Sequence, residues 1–271
     1  MFAAVLSSAL LALGSPQQAE RPLTVAAPGG ARLAATLTVP AGAGPHPAAV
    51  VVNGFGPNDR DGRIGGRGRT TYRTIANGLA ARGVAVLRYD KRGIGGSTGS
   101  DLAWLDARPL VSDVVTVTAA LARRPEVDPR RITIIGHSQG GDLALWAARR
   151  APARRVVTLS APGRPLRALP RVPGAAQRLL LRLAGRAVVR ATLDRDPVAD
   201  AVRVRRPVLL VHAADDRTVP IGDMARLAAA RRRAGLPTRT LRVPAPAGHF
   251  LEGGGRIAPR VLGAVAAFAR G

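Results

Sequence analysis

From about residue 22 onward, short apolar runs alternate with stretches in which apolar residues recur every three or four positions. Residues 22–40 (PLTVAAPGGARLAATLTVP) have the pattern of two strands turning at Gly29-Gly30. Further runs follow at 48–52 (AAVVV), 84–89 (VAVLRY), 132–135 (ITII), 156–159 (VVTL), 208–212 (VLLVH) and 240–243 (TLRV). Helical stretches lie between them, near 70–82, 109–123, 139–151, 221–234 and 256–270. Strand–helix alternation of this kind predicts an α/β fold with a mostly parallel, eight-stranded sheet flanked by helices. The nearly unbroken apolar runs agree, since strands covered on both faces have no polar side. Right-handed crossovers then bring the strand C-terminal ends to one edge, where open α/β sheets bind ligands.

One segment departs from the alternation. Arg164 to Arg205 separate the VVTL run from the VLLVH run, too long for an ordinary αβ connection. Within it Arg178, Arg182, Arg186 and Arg190 recur every four residues, beside an apolar face of Leu180, Leu183, Ala184, Ala187, Val188 and Ala191. The pattern predicts a basic amphipathic helix inserted above the active edge as a small lid, with Gly185 as its weak point. The Arg stripe is most simply a solvated helix face; the sharper expectation is a lid that docks on an anionic membrane surface.

The charge is lopsided. Lys and Arg total 41 against 17 acids, a formal net charge of +24, and every base but Lys91 is Arg. Such a field attracts anionic surfaces or substrates and fades with salt. Nucleic acid is not the expected partner, because aromatic residues are only 3% and no zinc-finger or RNA-binding aromatic motif is present. With no Cys, disulfides and thiolate metal sites are excluded. Residues 2–13 (FAAVLSSALLAL), followed by Gly14-Ser15-Pro16, are too short to span a bilayer but suit a signal-peptide core. The expectation is a signal peptide over 1–14, export to the periplasm or outside, and one domain over 20–271 with the lid at 164–205. A packed N-terminal helix is the alternative, since no Lys or Arg precedes the apolar run.

The chemistry concentrates at Gly136-His137-Ser138-Gln139-Gly140-Gly141, directly after the ITII run and before a helical stretch. Gly-x-Ser-x-Gly puts the serine on a sharp strand-to-helix turn with its hydroxyl exposed, and small residues two positions either side let strand and helix approach. A nucleophilic Ser138 needs a base and an orienting acid. Asp215-Asp216 follow the VLLVH run and His249 follows the next strand, both at the same sheet edge and in the order Ser, Asp, His.

These residues resemble the α/β-hydrolase superfamily over roughly 25–271, and within it the esterases and peptidase-like hydrolases of the prolyl-oligopeptidase and serine-aminopeptidase groups. The likeness is carried by GPHPAAVVVNGFGPNDRDG (44–62), RYDKRGIGGSTG (88–99), VDPRRITIIGHSQGG (127–141), HAADDRTVP (212–220) and AGHF (247–250). The family's Asp-x-x-Val-Pro pattern selects Asp216 over Asp215 as the acid. The resemblance also implies an oxyanion hole from the backbone N–H groups of Gln139 and Phe55, although Asn53-Gly54-Phe55 stands where the family usually has His-Gly-x. No cofactor is expected.

The remaining candidates have plainer roles. His137, beside the serine, is expected to point away from it; His212 is expected to be structural or to tie the acid loop; His46, between prolines, reads as a loop residue. No pair of His has metal-ligand spacing. Asp90, Lys91 and Arg92 are expected to stabilise loops, and Asp59, Arg60 and Asp61 to brace the turn after Phe55. The resulting expectation is a secreted carboxylic-ester hydrolase acting on a small-molecule ester. A serine aminopeptidase or thioesterase is the alternative, and an idle hydrolase fold binding anionic surfaces is the rival of another class.

Overall fold

A computed structural model of the 271-residue chain describes residues 18–170, 179, 182–253 and 256–271. The segment expected to be a signal peptide, 1–14, lies outside the described residues. Eight strands form the sheet: β1 (Ala19–Ala27), β2 (Ala31–Val39), β3 (His46–Val52), β4 (Ala85–Tyr89), β5 (Val127–His137), β6 (Arg155–Leu159), β7 (Val208–Ala213) and β8 (Thr238–Val243). Their order across the sheet is β1-β2-β4-β3-β5-β6-β7-β8. β1 and β2 run antiparallel to their neighbours and the rest are parallel. The hairpin turns at Gly29 and Gly30, both at φ 75°, where residues with a Cβ are disfavoured. His46, expected in a loop, instead opens β3 and is buried, because its N–H bonds the Glu126 carbonyl and starts the strand two residues before the apolar run.

Five helices pack on the two faces: α1 (Thr71–Ala80), α2 (Ala107–Ala122), α3 (Gln139–Ala147), and, after the insertion described next, Gly222–Arg233 and Pro259–Arg270. Alternate residues of one strand serve both cores. In β3, Val50 and Val52 face α2 and α3, where Val114 and Leu143 meet them. Ala49 and Val51 face α1 and Pro259–Arg270, with Ile75, Leu79 and Val265. That double duty is why the run has no polar face.

The insertion over 164–205 holds two short helices, α4 (Arg186–Thr192) and α5 (Pro197–Ala201); Gly222–Arg233 is then α6 and Pro259–Arg270 α7. The expected single basic helix does not run through. Gly185 sits at φ 91°, outside the helical region, and heads α4, so Arg182 and Arg186 belong to different segments. Arg178 and Leu180 lie outside the described residues. Val188, Val189 and Leu193 pack with Leu166 against Trp104, Leu105 and Phe55. The Thr192 hydroxyl donates to the Leu105 carbonyl at 2.7 Å and accepts from the Ala107 N–H at 3.1 Å. Arg195 ion-pairs with Asp142 of α3 and Asp200 of α5, and lies 4.5 Å over the Trp146 ring. A half-buried arginine with two carboxylates on two elements thereby ties the insertion to the helix that follows Ser138.

Candidate active site

Parallel pairing aligns the strand ends that carry the chemistry. Val52 pairs with Gly136, His137 with Leu159, Leu159 with Val211, and Ala213 with Val243. The residues just past β3, β5, β7 and β8 therefore meet at one edge. Between β5 and α3, Ser138 stands at φ 54°, ψ −127°, a strained conformation for a residue with a Cβ. Its N–H is held by the Leu159 carbonyl at 2.8 Å, and its carbonyl by the Gly141 N–H at 2.9 Å. The turn closes only with glycine on both sides. A Cβ on Gly136 would collide with the Gly140 backbone, one on Gly140 with the Val52 and Asn53 carbonyls, and one on Gly141 would lie 2.5 Å from Ala161 Cβ.

The sheet edge brings together the residues expected from the sequence. Ser138, His249, Gly54, Phe55, Tyr72 and Leu166 are among the residues lining one cavity of about 350 Å³. His249 Nδ1 bonds Asp216 Oδ2 at 2.8 Å. Asp216 Oδ1 accepts from the Thr218 and Val219 N–H groups at 2.8 and 2.9 Å. Burial pushes the Asp216 carboxyl up, but hydrogen bonds from His212, His249 and Val219 outweigh it and hold it well below the usual carboxylate range. Asp215, the rival acid, turns to the Ala247 and Gly248 N–H groups and so braces the loop that carries His249. His212 Nε2 bonds the Val219 carbonyl at 2.8 Å, the tie to the acid loop that the sequence suggested.

The turn after β3 is built from its own side chains. Asn53 donates from Nδ2 to the Asp59 carbonyl at 2.8 Å, which closes the turn where the family's histidine is absent. Asn58 Nδ2 donates to the Gly54 and Phe55 carbonyls, and Asp59 Oδ1 caps three successive N–H groups, those of Asp61, Gly62 and Arg63. Gly54 is wedged against the serine: a Cβ there would lie 3.2 Å from Ser138 Cβ. Gln139 begins α3, so its N–H lacks an intrahelical acceptor. Among the described residues, neither the Gln139 nor the Phe55 N–H donates to a protein acceptor. A serine on a strained turn, a His–Asp pair and two N–H groups left without a protein acceptor fit the needs of acyl transfer.

His137, expected to point away from Ser138, lines the same cavity, and both of its ring nitrogens are engaged in the frame of the site. Its Nε2 bonds the His249 carbonyl at 3.0 Å and its Nδ1 faces the Tyr72 hydroxyl at 3.2 Å. The Tyr72 hydroxyl in turn accepts the Gly54 N–H at 2.7 Å. Burial lowers His137 to about 3, and the neighbouring His249 adds to the effect. The ring is therefore neutral, donating from Nε2 and accepting at Nδ1. This chain joins the turn at Gly54 to the loop of His249.

A family model for serine aminopeptidases of the S33 type matches residues 66–205. The chain belongs to that family. It has the fold of the α/β-hydrolase group that holds esterases and peptidases. Esterase EstD of Thermotoga maritima is 36% identical over 109 residues, which is 40% of this chain and 25% of that protein. The chain spans between 25% and 55% of the length of the curated relatives it matches. A puromycin-hydrolyzing peptidase of Mycobacterium tuberculosis superposes at TM-score 0.71 and 22% identity, covering 93% of this chain and 39% of the peptidase. Est1E of Butyrivibrio proteoclasticus, solved with ferulic acid, superposes at 0.66 and 20% identity, covering 91% and 97%. At these identities the superpositions show the fold.

Proposed function

We propose that the chain is a carboxylic-ester hydrolase that works through Ser138, His249 and Asp216. The observation that carries this reading is the 2.8 Å His249–Asp216 bond at the cavity that Ser138 lines. His249 takes the Ser138 proton as the hydroxyl attacks the acyl carbonyl, and Asp216 stabilises the imidazolium that forms. The oxyanion is received by the Phe55 and Gln139 N–H groups. His249 then protonates the leaving alcohol, and water repeats the sequence on the acyl-enzyme.

Ester is favoured over peptide by the state of the carboxylates. Capture of a peptide's ammonium needs a free acid near the cleft, and the three acids of the insertion are engaged. Asp194 pairs with Arg167 at 3.4 Å, Asp196 caps the Val198 N–H at 3.0 Å, and Asp200 holds Arg149 and Arg195. The cavity's apolar walls, with Phe55, Leu166, Leu169, Val219 and Phe250, suit an acyl chain, and 350 Å³ is near the lower end of ligand pockets. Short-chain p-nitrophenyl esters are therefore the expected best substrates. The test is a short-to-long acyl series alongside aminoacyl-anilides, with wild type and Ser138→Ala. Turnover of anilides but not esters would replace this reading with the aminopeptidase one. We also place the insertion as a lid and the chain as exported, readings that the length of 164–205 and the apolar run 2–13 support.

A further inference from the structure

Lys91 is the chain's one lysine, and it is 3% exposed. A buried ammonium ordinarily has a carboxylate partner. Among the described residues no carboxylate lies within 4 Å of its Nζ; the adjacent Asp90 is taken by Arg60 and by the Gly96 N–H, and Asp113 by Arg92. Lys91 Nζ donates instead to two backbone carbonyls, those of Gly54 and, at 2.8 Å, Gly56. These carbonyls flank Phe55. Desolvating a lysine for two loop carbonyls is costly, and their position says what the cost serves.

We propose that Lys91 is a positioning residue of the oxyanion turn, fixing the Gly54–Phe55 peptide together with Asn58, whose Nδ2 reaches the same Gly54 carbonyl at 3.3 Å, so that the peptide N–H faces the cavity beside Ser138. The reasoning is stereochemical and rests on the role given to Phe55 above. A trans peptide is planar, with its C=O and the following N–H pointing in opposite directions. Lys91 draws the Gly54 carbonyl to the buried side of the turn, so the Phe55 N–H is turned the other way. Gly54 and Phe55 line the cavity and Lys91 lies behind them, which makes that other way the cavity side. The second bond, to Gly56, pins the far end of Phe55 and prevents the peptide from flipping. Burial lowers the Lys91 amine to about 7. Even a neutral amine has two N–H donors, one for each carbonyl, so the clamp survives deprotonation.

Lys91→Met keeps the chain's length and removes the donors. On a p-nitrophenyl ester the variant is expected to lose about ten- to a hundredfold in kcat, a sizeable part of what one oxyanion donor contributes, with KM within twofold. Affinity for a boronic acid that bonds Ser138 should fall by the same factor as kcat, because only the tetrahedral adduct uses the oxyanion donors. The chain has four Phe, so ¹⁵N-Phe labelling reduces the amide spectrum to four signals at most, one of them that of Phe55. That signal should shift downfield on boronate binding in wild type and stay in Lys91→Met. Where Lys91→Met does not fold, Lys91→Gln, which keeps two N–H donors on a shorter arm, takes its place with an intermediate loss. An unchanged kcat, or a kcat loss without a matching loss of boronate affinity, would overturn the proposal. Wild type inactive on every ester, or Ser138→Ala still active, would overturn the triad reading instead.

Discussion

Ser138 and Lys91 are both held in states that isolated residues avoid, one by backbone geometry and one by solvation. The serine's positive φ is maintained by the Leu159 carbonyl on one side and the Gly141 N–H on the other. Lysine burial has a measurable consequence for stability. Its amine titrates at about 7 in the folded chain and at 10.5 in its ordinary state. Between those values the unfolded chain binds more protons, so this residue makes stability rise as pH increases from about 7 towards 10, and it costs most below 7. Chemical denaturation of wild type and Lys91→Met across that range should show the wild type gaining relative to the variant as pH increases. A constant difference would mean that Lys91 titrates normally. At this scale the sequence was partly legible. Ser138, Asp216 and His249 lie in short local motifs, and the Asp-x-x-Val-Pro spacing distinguished Asp216 from its neighbour. The supports were legible only in part: Asp59 and Lys91 were expected to hold loops, but not which groups they would hold. Tyr72 meets Gly54 across 18 positions and His137 across 65, and Lys91 meets Gly54 across 37; only the folded sheet brings them together.

The elements followed the apolar periodicity closely, because strands buried on both faces leave an unambiguous run. Two departures have physical causes. β5 begins at Val127, although Asp128-Pro129-Arg130-Arg131 interrupts the run, because Val127 pairs with His46 and the exposed Pro129 and Arg130 fall in the register shift before Ile132. The insertion's helix is divided at Gly185, whose conformation the four-residue spacing of arginines could not reveal. The elbow between β5 and α3 makes the sharpest element-scale expectation. In Gly140→Ala the new methyl would meet the Val52 and Asn53 carbonyls, the latter at 2.7 Å, and backbone on both sides cannot yield. Overpacking of this kind costs about 1–3 kcal/mol, and the displaced turn should also lose ester turnover. A thermal melt and activity indistinguishable from wild type would show that the elbow is looser than its contacts imply.

Over the whole molecule, the 17 acids are largely consumed by internal pairs with arginine, and the surplus of bases makes the surface strongly positive. The insertion adds an apolar element to that field. Leu179 and Leu183 are 56% and 75% exposed, beside the exposed Arg182, Arg186 and Arg190. Exposed leucines among arginines suit an anionic lipid surface. Co-sedimentation at low salt should favour vesicles containing phosphatidylglycerol over phosphatidylcholine alone. It should weaken as salt rises and fall further in a Leu179→Asn, Leu183→Asn double variant. Equal binding to both vesicle types would leave the arginines as a merely solvated face.

The catalytic assignment is tested most directly by where a fluorophosphonate bonds. A serine with a working base and oxyanion site attacks phosphorus and leaves a stable adduct, and trypsin releases Ser138 within the peptide 132–149. Mass spectrometry should find one adduct per chain, on Ser138, together with loss of esterase activity at the same rate. Ser138→Ala should take up none. An adduct on another serine, or full inactivation with Ser138 unmodified, would contradict the assignment.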